Sequence, residues 1–243
     1  MWLLNRIELI IALLILTILS VKLWKFLQRK KKLKKMAEIL NLNFSELPLD
    51  KGQEFDLSDM KNRKWAARLQ KVFSLFAPWE ITGTLRGLPV RISTRHRAYR
   101  VRRVGTSTST GKGKEKEVFM RMEICFVENL DLGLQIFSDN PFVKEGYDGY
   151  DDRRKDLQSG NPELDERVKI LGISEQRITK LLGRTDLLEA LLQLFKRYSN
   201  AVVDDESVRI EERGIIVDAD DCRARLESLV SVASSMERAV RFV

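Results

Sequence analysis

Histidine and cysteine are scarce in this chain, which has one histidine and two cysteines among 243 residues. A catalytic triad or a metal site that needs imidazole would have to use His96, which stands among arginines in a strand-like segment. Cys125 and Cys222 lie far apart in apolar segments and form no CxxC motif, so neither zinc ligation nor a disulfide framework is indicated. We therefore predict no catalytic residues, no bound metal and no cofactor.

Charge is absent from residues 9–21. This run of about 13 residues is shorter than the roughly 20 that cross a bilayer as a helix, but apolar and aromatic residues extend it on both sides. A signal peptide has an apolar region of this length, yet a block of lysines stands where its cleavage site is expected. A helix lying in the membrane interface is the other alternative. The pattern predicts a retained transmembrane helix.

Acidic residues are missing from the segment that follows, in which eight cations lie between Lys22 and Lys35. On the other side of the apolar run, Arg6 and Glu8 cancel. The positive-inside rule then places the N-terminus outside and the C-terminal domain in the cytoplasm, which predicts a single-pass membrane protein.

Most of the basicity is local, because residues 1–40 carry nine basic and two acidic side chains while the whole chain has a formal net charge of +8. This placement favours anionic lipid headgroups, which attract nearby cations by about 1 kcal/mol each, and makes nucleic acid an unlikely partner. A second basic segment, residues 58–77, has the spacing of an amphipathic helix and fits either a membrane surface or the core. The predicted membrane-surface residues are Lys30, Lys31, Lys32, Lys34, Lys35, Lys61, Lys64, Trp65, Arg68 and Lys71.

Apolar and polar residues alternate between positions 79 and 136 in the manner of β-strands. The first two strands form a hairpin that turns at Arg86 and Gly87. Residues 106–116 are polar and predict a loop, and residues 138–162 predict a second, exposed loop. The four strands, predicted to form an antiparallel meander, are residues 79–85, 88–92, 118–126 and 132–136.

Helical spacing returns in the last third, around a hairpin at residues 202–217. The predicted helices are one that begins near Ser174 and ends at Gly183, one that is capped by Thr185, and a final one that carries Cys222 on its apolar side. The fold class is α+β, with an N-terminal transmembrane helix followed by a cytoplasmic domain that contains an antiparallel β-meander and packed amphipathic helices. The predicted domains are the transmembrane helix (1–27), a basic juxtamembrane helix and connector (28–57) and the cytoplasmic domain (58–243), as one unit or as halves 58–138 and 163–243.

Arginines without an intervening acid mark residues 86–103, whereas acids are frequent between positions 131 and 166. The arginines either lie on solvated strand faces, pair with these acids, or present a basic surface to a partner. The predicted partner-binding residues are Arg91, Arg95, Arg97, Arg100, Arg102 and Arg103.

Two sequence motifs carry a resemblance to known proteins. WEITGTLRGLPVRIS at residues 79–93, and NPELDERVKILG at residues 161–172 before a leucine-rich helix, follow the N-terminal apolar segment in the same order as in uncharacterised bacterial single-pass membrane proteins of domain-of-unknown-function families. The chain resembles these proteins over residues 36–240. The resemblance implies a bacterial inner-membrane location and an α+β domain, and it transfers no catalytic residue.

These observations predict a noncatalytic, membrane-anchored module that binds a protein partner, or organises a complex, at the cytoplasmic face of the membrane. One alternative is a reader of anionic lipid or nucleic acid that uses the arginine-rich hairpin. The other is an enzyme that uses acids of residues 148–166, although paired carboxylates are too common in this sequence to indicate catalysis.

Overall fold

In the computed structural model of the protein, residues 2–47, 79–101, 113–138 and 153–242 are described, with backbone alone at 2–16, 18, 19, 22, 95–101 and 113–117. Nine strands of this part form a single antiparallel sheet in the order β1-β2-β3-β4-β9-β8-β5-β7-β6. The strands are β1 (Asn43–Glu46), β2 (Trp79–Leu85), β3 (Leu88–Val101), β4 (Gly113–Cys125), β5 (Gln135–Ser138), β6 (Lys155–Leu157), β7 (Val168–Gly172), β8 (Val202–Asp204) and β9 (Ser207–Arg213). The helices are α1 (Trp2–Ile39), α2 (Pro162–Asp165), α3 (Glu175–Leu182), α4 (Thr185–Arg197) and α5 (Ala219–Val240).

The hairpin of β2 and β3 is confirmed, with its turn at Arg86 and Gly87. Both turn residues have positive φ, 52° and 85° respectively. A two-residue connection with two positive φ angles matches the twist of the flanking strands. The local sequence therefore specifies this pairing directly.

The predicted four-stranded meander is correct for β2, β3 and β4 and wrong for the fourth strand. Between β4 and β5 the sheet contains β9 and β8. Alternation identifies a strand, but it does not determine which edge that strand joins. The hairpin predicted at residues 202–217 is confirmed as β8 and β9, although its second strand ends at Arg213. This hairpin lies beside β4. The predicted loop at 138–162 also contains an edge strand, β6.

The main core lies on one face of the sheet, beneath the three longer C-terminal helices. Ile92, Met122 and Ile124 are fully buried on that face, and α5 contributes Leu229 and other buried side chains. Each such side chain stabilises the fold by about 1.5–3 kcal/mol through removal from water. Helix α3 begins directly after Ser174, as predicted, whereas the predicted cap Thr185 is the first helical residue of α4 and Arg184 occupies the N-cap position. The Asp218 side chain caps α5 by accepting a hydrogen bond from Asp221 N.

The prediction of an N-terminal transmembrane helix is corrected. Residues 2–39 form one continuous helix of 38 residues, yet within the described part of the chain no helix combines the length and apolar character that crossing a bilayer requires. The uncharged run is short, and α1 continues without a break into a lysine-rich second half. The predicted architecture of an anchor followed by a separate cytoplasmic domain, the single-pass topology and the inner-membrane location are therefore not supported.

The C-terminal part of α1 belongs to the folded domain. Leu33, Met36 and Ala37 are each 1% exposed and join the main core. Arg223 of α5 donates a hydrogen bond from Nη2 to the carbonyl oxygen of Ile39, 3.2 Å away. One side of α1 is thus fixed against the sheet and α5.

Candidate interaction surfaces

The face of the sheet opposite the main core carries charged residues of alternating sign on five neighbouring strands. Arg91 forms an ion pair with Glu80, and it lies opposite Glu123 in the β3–β4 register. Arg209 continues the row, because its Nη1 lies 3.8 Å from Glu123 and also forms an ion pair with Asp204. Opposite charges on neighbouring strands stabilise a sheet.

The row of paired charges formed by Glu80, Arg91, Glu123, Arg209 and Asp204 includes one of the predicted partner-binding arginines, Arg91. The hydrogen bond from Arg91 to Glu80 raises the pKa of the guanidinium, and the Glu80 side chain is only 12% exposed. Arg121 forms a parallel contact in the same face, donating from Nε to Glu211 over 2.8 Å. Arg91 is therefore engaged in the structure of the sheet itself.

Strands β3 and β4 extend beyond the rest of the sheet as a two-stranded arm, defined here as residues 96–101 and 113–118. The pairing of β2 ends at Ser93 and that of β9 at Phe119. Among the described residues, the arm pairs with a third segment only through a hydrogen bond from Gly214 N to Val118 O, 2.9 Å long. At the usual rise per residue, the arm is about 17 Å long.

The register of the arm separates its charges between two faces. Directly opposed residues of an antiparallel pair share a face, and successive residues alternate between faces. The face continuous with the main core carries three cations and no acid; its pairs are His96–Val118, Ala98–Lys116 and Arg100–Lys114. The other face carries the pairs Arg97–Glu117, Tyr99–Glu115 and Val101–Gly113. Arg95, which lies opposite Phe119 at the base of the arm, continues this face, so that two arginines balance two glutamates.

The predicted partner-binding arginines therefore lie on two different faces, and two lysines that the sequence analysis did not predict as binding residues join one of these faces. Arg100 is on the cationic face, whereas Arg95 and Arg97 are on the compensated face. Lys114 and Lys116 fell in the predicted loop at 106–116, and their alternation with Glu115 and Glu117 was the available signal. Arg102 and Arg103 lie outside the described residues.

The predicted membrane-surface lysines of α1 also separate into two groups. Lys30 and Lys34 point toward β1, with their Nζ atoms 2.7 Å and 3.8 Å from the carboxylate of Glu46. Lys34 also lies over the ring of Phe44, 5.4 Å from its centroid. Lys31, Lys32 and Lys35 are exposed. The remaining predicted residues, Lys61, Lys64, Trp65, Arg68 and Lys71, lie outside the described part of the chain.

Three of the acids that an alternative enzyme would use contact neighbouring residues. Asp156 forms an ion pair with Lys169 at 3.0 Å, and the Asp165 carboxylate accepts a hydrogen bond from Ser159 N at 2.7 Å. The hydrogen bond from Lys196 lowers the pKa of Glu163. Asp148, Asp151 and Asp152 lie outside the described residues. Among the described side chains, no group of three or more His, Cys, Asp or Glu could hold a metal ion.

The described part is thus an antiparallel sheet domain with a protruding, charge-segregated arm. No protein-family model and no curated protein matches the sequence. The predicted resemblance to uncharacterised bacterial membrane proteins therefore stays a prediction. One solved structure to which the chain shows a distant similarity is the mycobacterial trehalose monomycolate transport factor A, with 10% identity, a TM-score of 0.44, and coverage of 88% of this chain and 94% of that chain. A likeness this distant carries no conclusion about function.

Proposed function

We propose that the chain is a noncatalytic binding module whose β3–β4 arm holds an acidic protein partner. The single observation that carries this proposal is the segregation of charge in the arm, where Arg100, Lys114 and Lys116 share one face without an acid. Paired strands fix the spacing between these positions. A preorganised row of cations lowers the entropic cost of binding and favours an acidic surface by charge complementarity.

The size of the patch favours a protein partner over nucleic acid. DNA-binding proteins commonly neutralise about six to ten phosphates, whereas this face of the arm presents three cations over about 17 Å. Ala98 and Val118 lie among the cations at apolar register positions. Small apolar positions between charges suit a protein surface, where an apolar centre is bordered by polar contacts.

Site-specific photo-crosslinking in cells tests the proposal at residue resolution. A photoreactive phenylalanine analogue in place of Ala98 should capture a defined protein, whereas the same analogue in place of Tyr99, on the opposite face, should not. Neutralising Lys114 and Lys116 with glutamine should lower capture at position 98 about fivefold, since exposed ion pairs contribute roughly 0.5 kcal/mol each.

The matched control is the double substitution Arg95→Gln and Arg97→Gln, which removes the same number of charges from the compensated face. It should leave capture at position 98 unchanged. Equal loss in both double variants would contradict the assignment to one face. Capture that disappears after nuclease treatment would instead indicate nucleic acid, and capture of lipid alone would indicate a headgroup reader.

A further inference from the structure

The side of α1 that faces away from the domain carries an exposed strip of aromatic, aliphatic and basic residues. These residues recur at intervals of three and four, so they form one stripe along the helix. Trp24 is 61% exposed and Val21 is 48% exposed, and the lysines of the strip are exposed as well. The strip consists of Val21, Trp24, Lys25, Gln28, Lys31, Lys32 and Lys35.

Most of the strip lies away from the side by which α1 joins the domain. At 100° per residue, Trp24, Gln28 and Lys35 fall about half a turn from Leu33 and Ala37, which are buried in the main core. Lys25 and Lys32 form the edge of the strip that is nearest in direction to the buried Met36, about 20° and 40° from it. The two lysines that bind Glu46 lie outside the strip. The domain therefore fixes the orientation of α1 and leaves the strip facing outward over about 21 Å.

The charge of the strip identifies the partner. The sequence contains no acid between Glu8 and Glu38, so among the cations of the strip only Lys35 has an acid, Glu38, within one turn of its own helix. Trp24, Lys25, Gln28 and Lys32 also line a shallow concavity on this side. Lysine carries a compact charge on a flexible stem, which suits a fluid layer of headgroups, and tryptophan is enriched where apolar and polar phases meet.

From this arrangement we infer that the α1 strip adsorbs to the surface of an anionic phospholipid bilayer, without spanning it. The lysines contact headgroup phosphates while Trp24 and Val21 enter the headgroup region. This surface is separate from the β3–β4 arm, and the inference does not depend on the proposed protein partner.

Vesicle sedimentation of the full-length chain tests the inference. Vesicles with about 30% phosphatidylglycerol in phosphatidylcholine should bind the chain, and raising the salt should release it because headgroup attraction is screened. Replacing Lys25, Lys32 and Lys35 together with glutamine should weaken binding about a hundredfold, at about fivefold per cation. Pure phosphatidylcholine vesicles should bind far less of the wild-type chain.

Two matched controls separate adsorption from general effects. Replacing Arg177, Lys180 and Arg241 with glutamine removes three exposed cations elsewhere and should leave binding unchanged. Trp24→Ala should weaken binding, whereas Leu27→Ala, at a residue 42% exposed outside the strip, should not. Equal binding to neutral vesicles, or equal loss in the two triple variants, would overturn the inference. If the arm variants kept their protein partner, the proposed function would fail but the inference about the α1 strip would still stand.

Discussion

Removal of the Asp205 carboxylate should destabilise the loop between β4 and β5. Asp205 Oδ1 accepts hydrogen bonds from Leu132 N and Leu134 N at 3.3 Å and 3.0 Å, and its Oδ2 accepts one from Gly133 N at 2.7 Å. One carboxylate thus satisfies three consecutive backbone donors. The same loop contains Asp131 and Gly133 at positive φ, 51° and 64°, so its conformation depends on contacts that hold it in place.

The magnitude follows from the number and type of these bonds. Hydrogen bonds to charged groups contribute about 1.5–3 kcal/mol each when buried. Asp205 is only half-buried, so water can bond to the freed backbone N–H groups and offset part of the lost stabilisation. We expect Asp205→Ala to lower the free energy of unfolding by about 3 kcal/mol, at roughly 1 kcal/mol per bond. Asp205→Asn should cost about 2 kcal/mol, because its amide oxygen keeps two acceptor contacts while its NH₂ group faces Gly133 N.

Urea denaturation followed by circular dichroism measures these differences, and amide exchange locates them. Protection of the Leu132, Gly133 and Leu134 amides should fall in the alanine variant before the core strands are affected. Glu206→Ala is the matched control, since this neighbouring acid is exposed and should cost less than about 0.5 kcal/mol. A cost below about 1 kcal/mol for Asp205→Ala, or unchanged exchange at Gly133, would show that the Asp205 carboxylate does not hold this loop.

Two further predictions concern close packing and a buried thiol. Gly172→Ala places a Cβ 2.1 Å from Ile178 Cδ1 and should lower the free energy of unfolding by about 2 kcal/mol, measured by thermal unfolding. Gly183→Ala, whose Cβ would lie 3.4 Å from its nearest neighbours, should be tolerated. Similar melting temperatures for the two variants would contradict this prediction. Burial raises the pKa of Cys222 from 9.0 to about 12. Below pH 9 the thiol is neutral in both the folded and the unfolded chain, so its contribution to the free energy of unfolding is complete. As the pH rises toward 12, only the unfolded chain ionises, and the free energy of unfolding falls by about 1.4 kcal/mol per pH unit. Cys222→Ala should remove this slope, and parallel pH profiles of wild type and variant would show that the thiol does not titrate as described.

The local elements of the fold were predictable because their signals are contained in short stretches of sequence. Alternation identified β2 and β3, and Arg86–Gly87 identified their turn. Helical spacing located α3, α4 and α5. The prediction of a membrane-spanning helix was wrong, since the uncharged run of α1 is short and the helix continues into a segment whose orientation the domain fixes.

The candidate surfaces needed more than sequence, because they depend on pairing between distant residues. An arginine-rich segment could be recognised without a structure, but the alternation of β3 alone does not reveal which charges on β4 lie opposite. The register decides that Arg97 lies opposite Glu117, whereas Arg100 lies beside a second cation, Lys114.

Local conformations and the concentration of positive charge near the N-terminus could be inferred without a structure. Tertiary structure alone decided the order of the sheet, in which β9 joins β4 across more than eighty intervening residues. It also decided that Lys30 and Lys34 bind Glu46, whereas Lys31, Lys32 and Lys35 face outward. The physical reason is range: turns and helices arise from contacts within a few residues, whereas strand order and charge pairing are set by burial of the whole core.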